Sequence, residues 1–248
     1  ADLLREISSV KVYAETDKSV AVNIKNVPQY SGTPYVEINN NEPSFSENDV
    51  DRVEEYSELD KLGRCGPAFA NVGKEIMPTN PRESIRDIRP SGWHTVKYDD
   101  IIEDRYLYNR CHLIAFMLAG ENANERNLIT GTRYFNVEGM LPFENQVADY
   151  VQSTGNHVLY RVRPIFKGDD LVARGVQMEA KSVEDGGKGV SFNVYCYNVQ
   201  PGIRINYKDG SSRPESKVQK NKNNKSNKTK KTKKNKKKQT NKPKTKQK

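Results

Sequence analysis

The chain has 248 residues and a formal net charge of +9, but the charge is unevenly spread. Sixteen lysines and no Asp or Glu lie between Lys217 and Lys248, so +9 less 16 leaves −7 on residues 1–216, and the basic character belongs to the tail. No apolar run approaches the roughly 20 residues of a membrane-spanning helix, and no signal-peptide apolar region is visible. Cys65, Cys111 and Cys196 are widely spaced with no C-x-x-C pair, which excludes a zinc ribbon or thioredoxin-type site and predicts buried thiols.

In chain order, residues 1–29 hold the alternating runs VKVYAE and SVAVNIKNV, expected as edge strands or as a segment preceding the domain. A short strand is expected over Tyr35–Ile38, between the turn residues Gly32, Pro34 and Pro43. In SENDVDRVEEYSELDKLGRCG, Val50, Val53, Tyr56, Leu59 and Leu62 at helical spacing, closed by Gly63, predict a solvated helix. GRCGPAFANVGKEI predicts a turn entering a strand, with Arg64 read as a surface arginine in preference to a phosphate ligand. A Pro/Gly-broken loop then leads to WHTVKYDDII and YLYNRCHLIAF, predicted as two strands meeting at a turn near Glu103. His94, beside the only Trp, reads as a packing or hydrogen-bonding residue.

After Glu144, NQVADYVQS continues an amphipathic helix. HVLYRVRPIF, LVARGVQMEA and SFNVYCYNV predict three strands, separated by the hairpin-type turns KGDD and EDGGKG, with His157 opening the first. GIRINYKDG adds a last short strand. Strands on both sides of the central segment make this an α+β domain. Its expected span is 30–210, between an N-terminal segment 1–29 and a disordered Lys-rich tail 211–248 with too few apolar residues to order itself.

The chemistry concentrates between Asn109 and Glu144. His112 ends a β-like run, and a neutral imidazole with an ordinary pKa of about 6.5 suits a general base; a satisfied buried histidine is the competing reading. Arg110 lies two residues earlier, on the same strand face by period two, and suits a phosphate. Asn124, Asn127 and Asn136 offer oxygen ligands or amide hydrogen bonds. Asn122 and Asn124 read as turn and cap residues in ENANERN, whereas Asn136 falls in the helical run that carries Glu144. One amide oxygen, a nearby carboxylate and several waters suit Mg²⁺, which keeps much of its water shell. Arg133, in TGTR, is a second candidate for gripping phosphate. Base, metal and arginine together describe metal-assisted phosphodiester hydrolysis.

NRCHLIA, NLITGTRYFN and GMLPFEN, in that order, resemble the DNA/RNA non-specific endonuclease family of ββα-metal nucleases, and in particular its secreted streptococcal DNase branch. The likeness runs from about Tyr30 to Tyr207. It implies a ββα-metal nuclease core with a central antiparallel sheet and flanking helices, in a secreted endonuclease that leaves 5′-phosphate and 3′-hydroxyl ends on DNA and RNA. It implies His112 as general base, Asn136 as ligand of Mg²⁺ (or Mn²⁺), Glu144 as the carboxylate facing the cation's water shell, and Arg110 or Arg133 as stabiliser of developing charge. The better-known D-R-G-H of the family is Asn109-Arg110-Cys111-His112 here, so a carboxylate is missing at Asn109 and packing is expected of Cys111. The lysine tail suits polyanions without base readout, whether nucleic acid or anionic cell-surface polymers. Two rival functions share these features: a non-catalytic nucleic-acid-binding protein, and a nuclease effector acting in another cell.

Overall fold

The computed structural model describes residues 21–216. The alternating stretch within residues 1–20 and the Lys-rich tail from 217 onward lie outside the described residues.

Three long apolar runs become the consecutive antiparallel strands β6 (Val158–Ile165), β7 (Gly175–Ser182) and β8 (Ser191–Tyr197), in register from Val158↔Ser182 to Ile165↔Gly175 and from Gly175↔Tyr197 to Lys181↔Ser191. Strand β3 (Ala68–Val72) pairs with β6, β2 (Glu54–Tyr56) closes that edge, and β1 (Tyr35–Glu37) closes the other against β8. The six-stranded order is β1-β8-β7-β6-β3-β2. Two ribbons stand apart from it: β4 (Tyr108–His112) with β5 (Leu128–Thr132), and β9 (Ile203–Ile205) with β10 (Ser212–Pro214). The last pairing carries the described fold to Pro214, past the expected limit at 210.

Both sheet faces are covered, which is why every residue of β6 is buried. Because side chains alternate along a strand, Tyr160, Val162, Met178, Ala180 and Val194 share one apolar core with Leu118 of the short helix α1 (Phe116–Ala119) and with Val147, Ala148 and Val151 of the helix α2 (Leu141–Thr154). Each Val or Met among them contributes on the order of 1.5–3 kcal/mol when fully buried. The alternate positions are polar. Arg161 pairs with Glu179 at 2.9 Å, and Ser44 donates to the same carboxylate through its backbone N–H at 2.9 Å and its hydroxyl at 2.6 Å. The polar face is thus sealed by the segment preceding β2, including Val22, whose N–H donates to Gln177 Oε1 at 3.0 Å.

Local signals explain α2. Pro142 occupies its first turn, where no intrahelical N–H is needed, Phe143, Val147 and Val151 recur at four-residue steps, and Gly155 caps it at φ 75° with its N–H on Val151 O.

Two expectations are corrected. The stretch from Ser46 to Gly63 is not a helix: Glu47–Asp51 is a single 3₁₀ turn, closed by a Ser46/Asp49 capping box, and Glu54–Tyr56 is the edge strand β2. Val50 and Val53 are exposed, at 41 % and 62 %, and only Tyr56 and Leu59 of the spaced residues named above pack against the main core. Pairing with the free edge of β3 satisfies the backbone there, and tertiary context overrides a weak periodicity. WHTVKYDDII does not form a ladder with YLYNRCHLIAF either. The two meet at one bridge, Lys97↔Tyr106, while β4 takes β5 as its partner. In the N-terminal segment, Ile24–Asn26 is a 3₁₀ turn, and Val22, Ile24 and Val27 pack against the cluster of Ile165, Tyr195 and Tyr197.

Candidate active site

The ribbon β4–β5 runs into α2 through one wide helical turn, and the candidate site lies along this β-β-α unit. Gly131 allows the ribbon to seat closely, since a Cβ there would collide with Cys111 Sγ and the Phe135 ring. At the open end of the ladder, beyond His112↔Leu128, Asn127 replaces a strand: its Oδ1 accepts from Ile114 N at 2.8 Å and its Nδ2 donates to Ile114 O at 2.9 Å. Asn127 is therefore a backbone clamp and is fully buried. Asn124 is a cap, accepting from Arg126 N–H at 3.0 Å.

His112 is 7 % exposed, and its Nε2 lies 2.8 Å from the backbone carbonyl of Asn122. A carbonyl only accepts, so Nε2 carries the proton and Nδ1 of the neutral ring is the basic atom. Burial holds the imidazole below its ordinary pKa, opposed by the bond to Asn122 and reinforced by the cation of Arg82. The ring is thus neutral near pH 7, the form a base requires.

Asn136 lies in the wide π turn Phe135–Met140, a geometry that recurs at functional sites. Its Nδ2 donates to Asn109 Oδ1 at 3.4 Å, and its Oδ1 takes no hydrogen bond among the described residues. Asn109 and His112 are three strand residues apart, roughly 10 Å of backbone. Glu144, in the first turn of α2, is 6 % exposed and accepts no hydrogen bond from a described residue. Burial pushes its carboxyl up to about 8, with Arg82 pulling the other way. The charge of Glu144 is also felt at Cys111 and Cys196, whose buried thiols are pushed well above their ordinary range. A thiolate at Cys111 is disfavoured, so Cys111 packs and does not attack. All three cysteines are free and buried, as expected.

Among the described residues, no group of three or more His, Cys, Asp or Glu side chains converges as a metal cluster. A cation here would be held by an amide oxygen and water. The unbonded Oδ1 of Asn136 and the buried carboxyl of Glu144, which takes no hydrogen bond from a described residue, fit a hydrated divalent ion of the Mg²⁺ type.

The arginines fall out differently from the sequence expectation. Arg110 donates from Nε to Ile88 O at 2.6 Å and from a terminal nitrogen to Arg86 O at 2.7 Å, with its guanidinium 4.0 Å over the Trp93 ring. It staples the 86–93 loop to β4. Arg133 lies past the Tyr108↔Thr132 pair, at the opposite end of the ladder from His112, and is paired with Asp104 at 2.6 Å. The structure does not bring Arg133 to the imidazole. The arginine whose charge acts on both His112 and Glu144 is Arg82, an exposed residue 5.3 Å over Phe116. Sequence reasoning missed it because it sits in an aperiodic Pro-rich loop. Residues 76–81 of that loop, with Phe116, Gly120 and Asn122, line a cleft of about 330 Å³ beside the base.

Arg64 is half-buried, bound to Asp60 and to the carbonyls of Gly168 and Asp170, an internal tie where a surface arginine was expected. His94 bonds Asp209 O at 2.8 Å, the hydrogen-bonding role expected of it.

A ribbon-and-helix unit carrying an oriented neutral histidine, an amide and a buried carboxylate under one six-stranded antiparallel sheet defines an α+β nuclease of the ββα-metal class. Residues 44–184 match the family model described as DNA/RNA non-specific endonuclease, and the chain belongs to that family. Among solved structures, it is similar to NucA from Streptococcus agalactiae with magnesium bound, at 26 % identity and a TM-score of 0.67, covering 82 % of this chain and 97 % of that one. The metal-free form of the same protein matches at 27 % identity, with a TM-score of 0.65 and coverage of 82 % and 96 %. The fold is shared as well with the Sda1 nuclease with bound zinc, at 23 % identity and a TM-score of 0.60, covering 78 % of this chain and all of that one. No helix among the described residues is long and apolar enough to cross a membrane.

Proposed function

We propose that this chain is a secreted, divalent-metal-dependent endonuclease that hydrolyses phosphodiester bonds of DNA and RNA without sequence preference. The observation that carries this reading is the 2.8 Å bond from His112 Nε2–H to Asn122 O, which leaves Nδ1 as a fixed base in a site shared with Arg82 and Glu144.

His112 Nδ1 takes the proton of a water attacking phosphorus in line with the departing 3′ oxygen. Products keep a 5′-phosphate and a 3′-hydroxyl, and no 2′-hydroxyl is needed, so both DNA and RNA qualify. Arg82, in place of Arg133, is the cation suited to the charge that accumulates on the phosphoryl oxygens. Arg110 holds the strand face through the 86–93 loop. Asn136 Oδ1 would hold the cation, with Glu144 against its water shell. That ion supplies Lewis-acid stabilisation of the phosphoryl group. The neighbour with magnesium supports Mg²⁺ and the one with zinc leaves other divalent ions in play, Mn²⁺ among them. An extracellular site of action follows from the resemblance to secreted streptococcal nucleases. The lysine tail raises the local concentration of nucleic acid, and anionic cell-surface polymers would be held by the same charges.

Digestion of plasmid and RNA with Mg²⁺, with EDTA, and with His112→Ala tests this. Cleavage that needs both metal and His112 is the expected result. Binding without cleavage across several divalent metals would replace it with the binding-protein reading.

A further inference from the structure

A second feature lies beside the candidate active site, on the far side of Asn109. Arg86, Arg89 and Arg110, with Trp93 and Tyr106, line a groove of about 710 Å³, well above what a phosphate ion alone requires and within the usual range for bound organic ligands. Asp87 is the one acid in its lining, so three arginines leave it cationic on a body whose net charge is −7. Tyr106 is 43 % exposed, with Lys97 Nζ 4.8 Å from its ring. Trp93 is capped by the Arg110 guanidinium at 4.0 Å, which presents a second flat, cationic surface. Asn109 lines this groove and also bonds Asn136, so groove and candidate site are continuous along β4.

We infer that this groove binds an unpaired stretch of nucleic-acid strand, stacking one base on Tyr106 and another on the Arg110 layer over Trp93, while Arg86 and Arg89 hold backbone phosphates. Aromatic faces with interleaved arginine are the chemistry of single-strand binding, and stacking accepts any base. Bases inside a duplex present no free face, so the groove engages strand that is frayed or single. It rests on the nuclease reading in placing the scissile phosphate near His112, and it makes single-stranded nucleic acid, or locally opened duplex, the favoured substrate of that site.

Trp93 is the only tryptophan, so its emission reports this groove. Titrating the full chain in EDTA at 0.15 M salt with a thymidine oligonucleotide of about ten residues is expected to quench Trp93 saturably. Tyr106→Ala is expected to weaken that binding roughly tenfold, and Tyr106→Phe to retain it. Arg86→Ala with Arg89→Ala is expected to lower the salt slope by about 1.4. An unresponsive Trp93, an unaltered Tyr106→Ala, or a blunt duplex binding as tightly as the single strand would overturn the inference. Metal-dependent cleavage with a silent Trp93 would sink the groove and keep the nuclease; quenching without cleavage under any divalent metal would do the reverse.

Discussion

The ring of His112 and the main chain of Asn122, ten positions apart in sequence, are joined by one 2.8 Å hydrogen bond, which fixes both tautomer and direction of the imidazole. Loss of the base through His112→Ala is expected to lower kcat/KM by about 10²–10⁴-fold with folding intact. Near-normal cleavage by that variant would remove His112 from the mechanism.

The pH profile carries the same assignment further. Burial, with help from Arg82, lowers the His112 pKa, so the unprotonated base persists to pH values below about 6.5 and the acid limb of kcat/KM falls there. Arg82→Ala removes a cation that disfavours imidazolium. The acid limb is then expected to move to higher pH while the plateau drops. A lower plateau with an unmoved limb would show that Arg82 does not act on His112.

Glu144 is a carboxyl whose burial raises its pKa to about 8. With the folded value above the unfolded one, its contribution to stability is fully present below about 4.5 and lost as pH rises through 8. Metal-free Glu144→Gln is therefore expected to melt at or above the parent temperature at pH 8, while losing most of the Tm increase that Mg²⁺ gives the parent. An equal Mg²⁺-induced increase in both proteins would separate Glu144 from the cation.

His157 Nδ1 lies 2.6 Å from Glu184 and its Nε2 lies 3.0 Å from Glu75, tying the end of α2 to the β7–β8 turn and to the loop after β3. The bond to Glu184, with both carboxylates nearby, raises its pKa above 6.5. The sign is that of a histidine gaining partners: stability is complete below about 6.5 and is lost as pH rises through the raised folded value. Urea midpoints are expected to fall across that window more steeply for the parent than for His157→Gln, which keeps only the decline due to Glu144. Parallel curves would discard the clamp.

Arg161 and Glu179 are a buried pair on the polar face of the sheet. Arg161→Met takes the nearer guanidinium from Glu179, leaving Arg163 at 3.6 Å, and is expected to cost about 3 kcal/mol, whereas Arg161→Met with Glu179→Leu and Arg163→Met removes all three charges and is expected to recover much of it. Chemical denaturation of both variants decides; equal losses would mean that shape, and not charge pairing, sets the cost.

By itself the sequence determined what local chemistry can determine. Hairpins β6–β7–β8 follow from apolar runs broken by KGDD and EDGGKG, and α2 from Pro142, its four-residue spacing and Gly155, because the stabilising contacts and turn residues lie close in the chain. The order of NRCHLIA, NLITGTRYFN and GMLPFEN was enough for the family. Long-range partners were decided by the tertiary structure alone. Strand β2 forms because β3 offers an unpaired edge, and nothing in SENDVDRVEEY encodes that edge. Arg133 and Arg82 are equally good cations in sequence, but only folding shows one paired with Asp104 at the far end of the ribbon and the other acting on His112 and Glu144. A side chain's charge is local, whereas the field it exerts depends on distance and burial, and the chain sets those only once it has closed on itself.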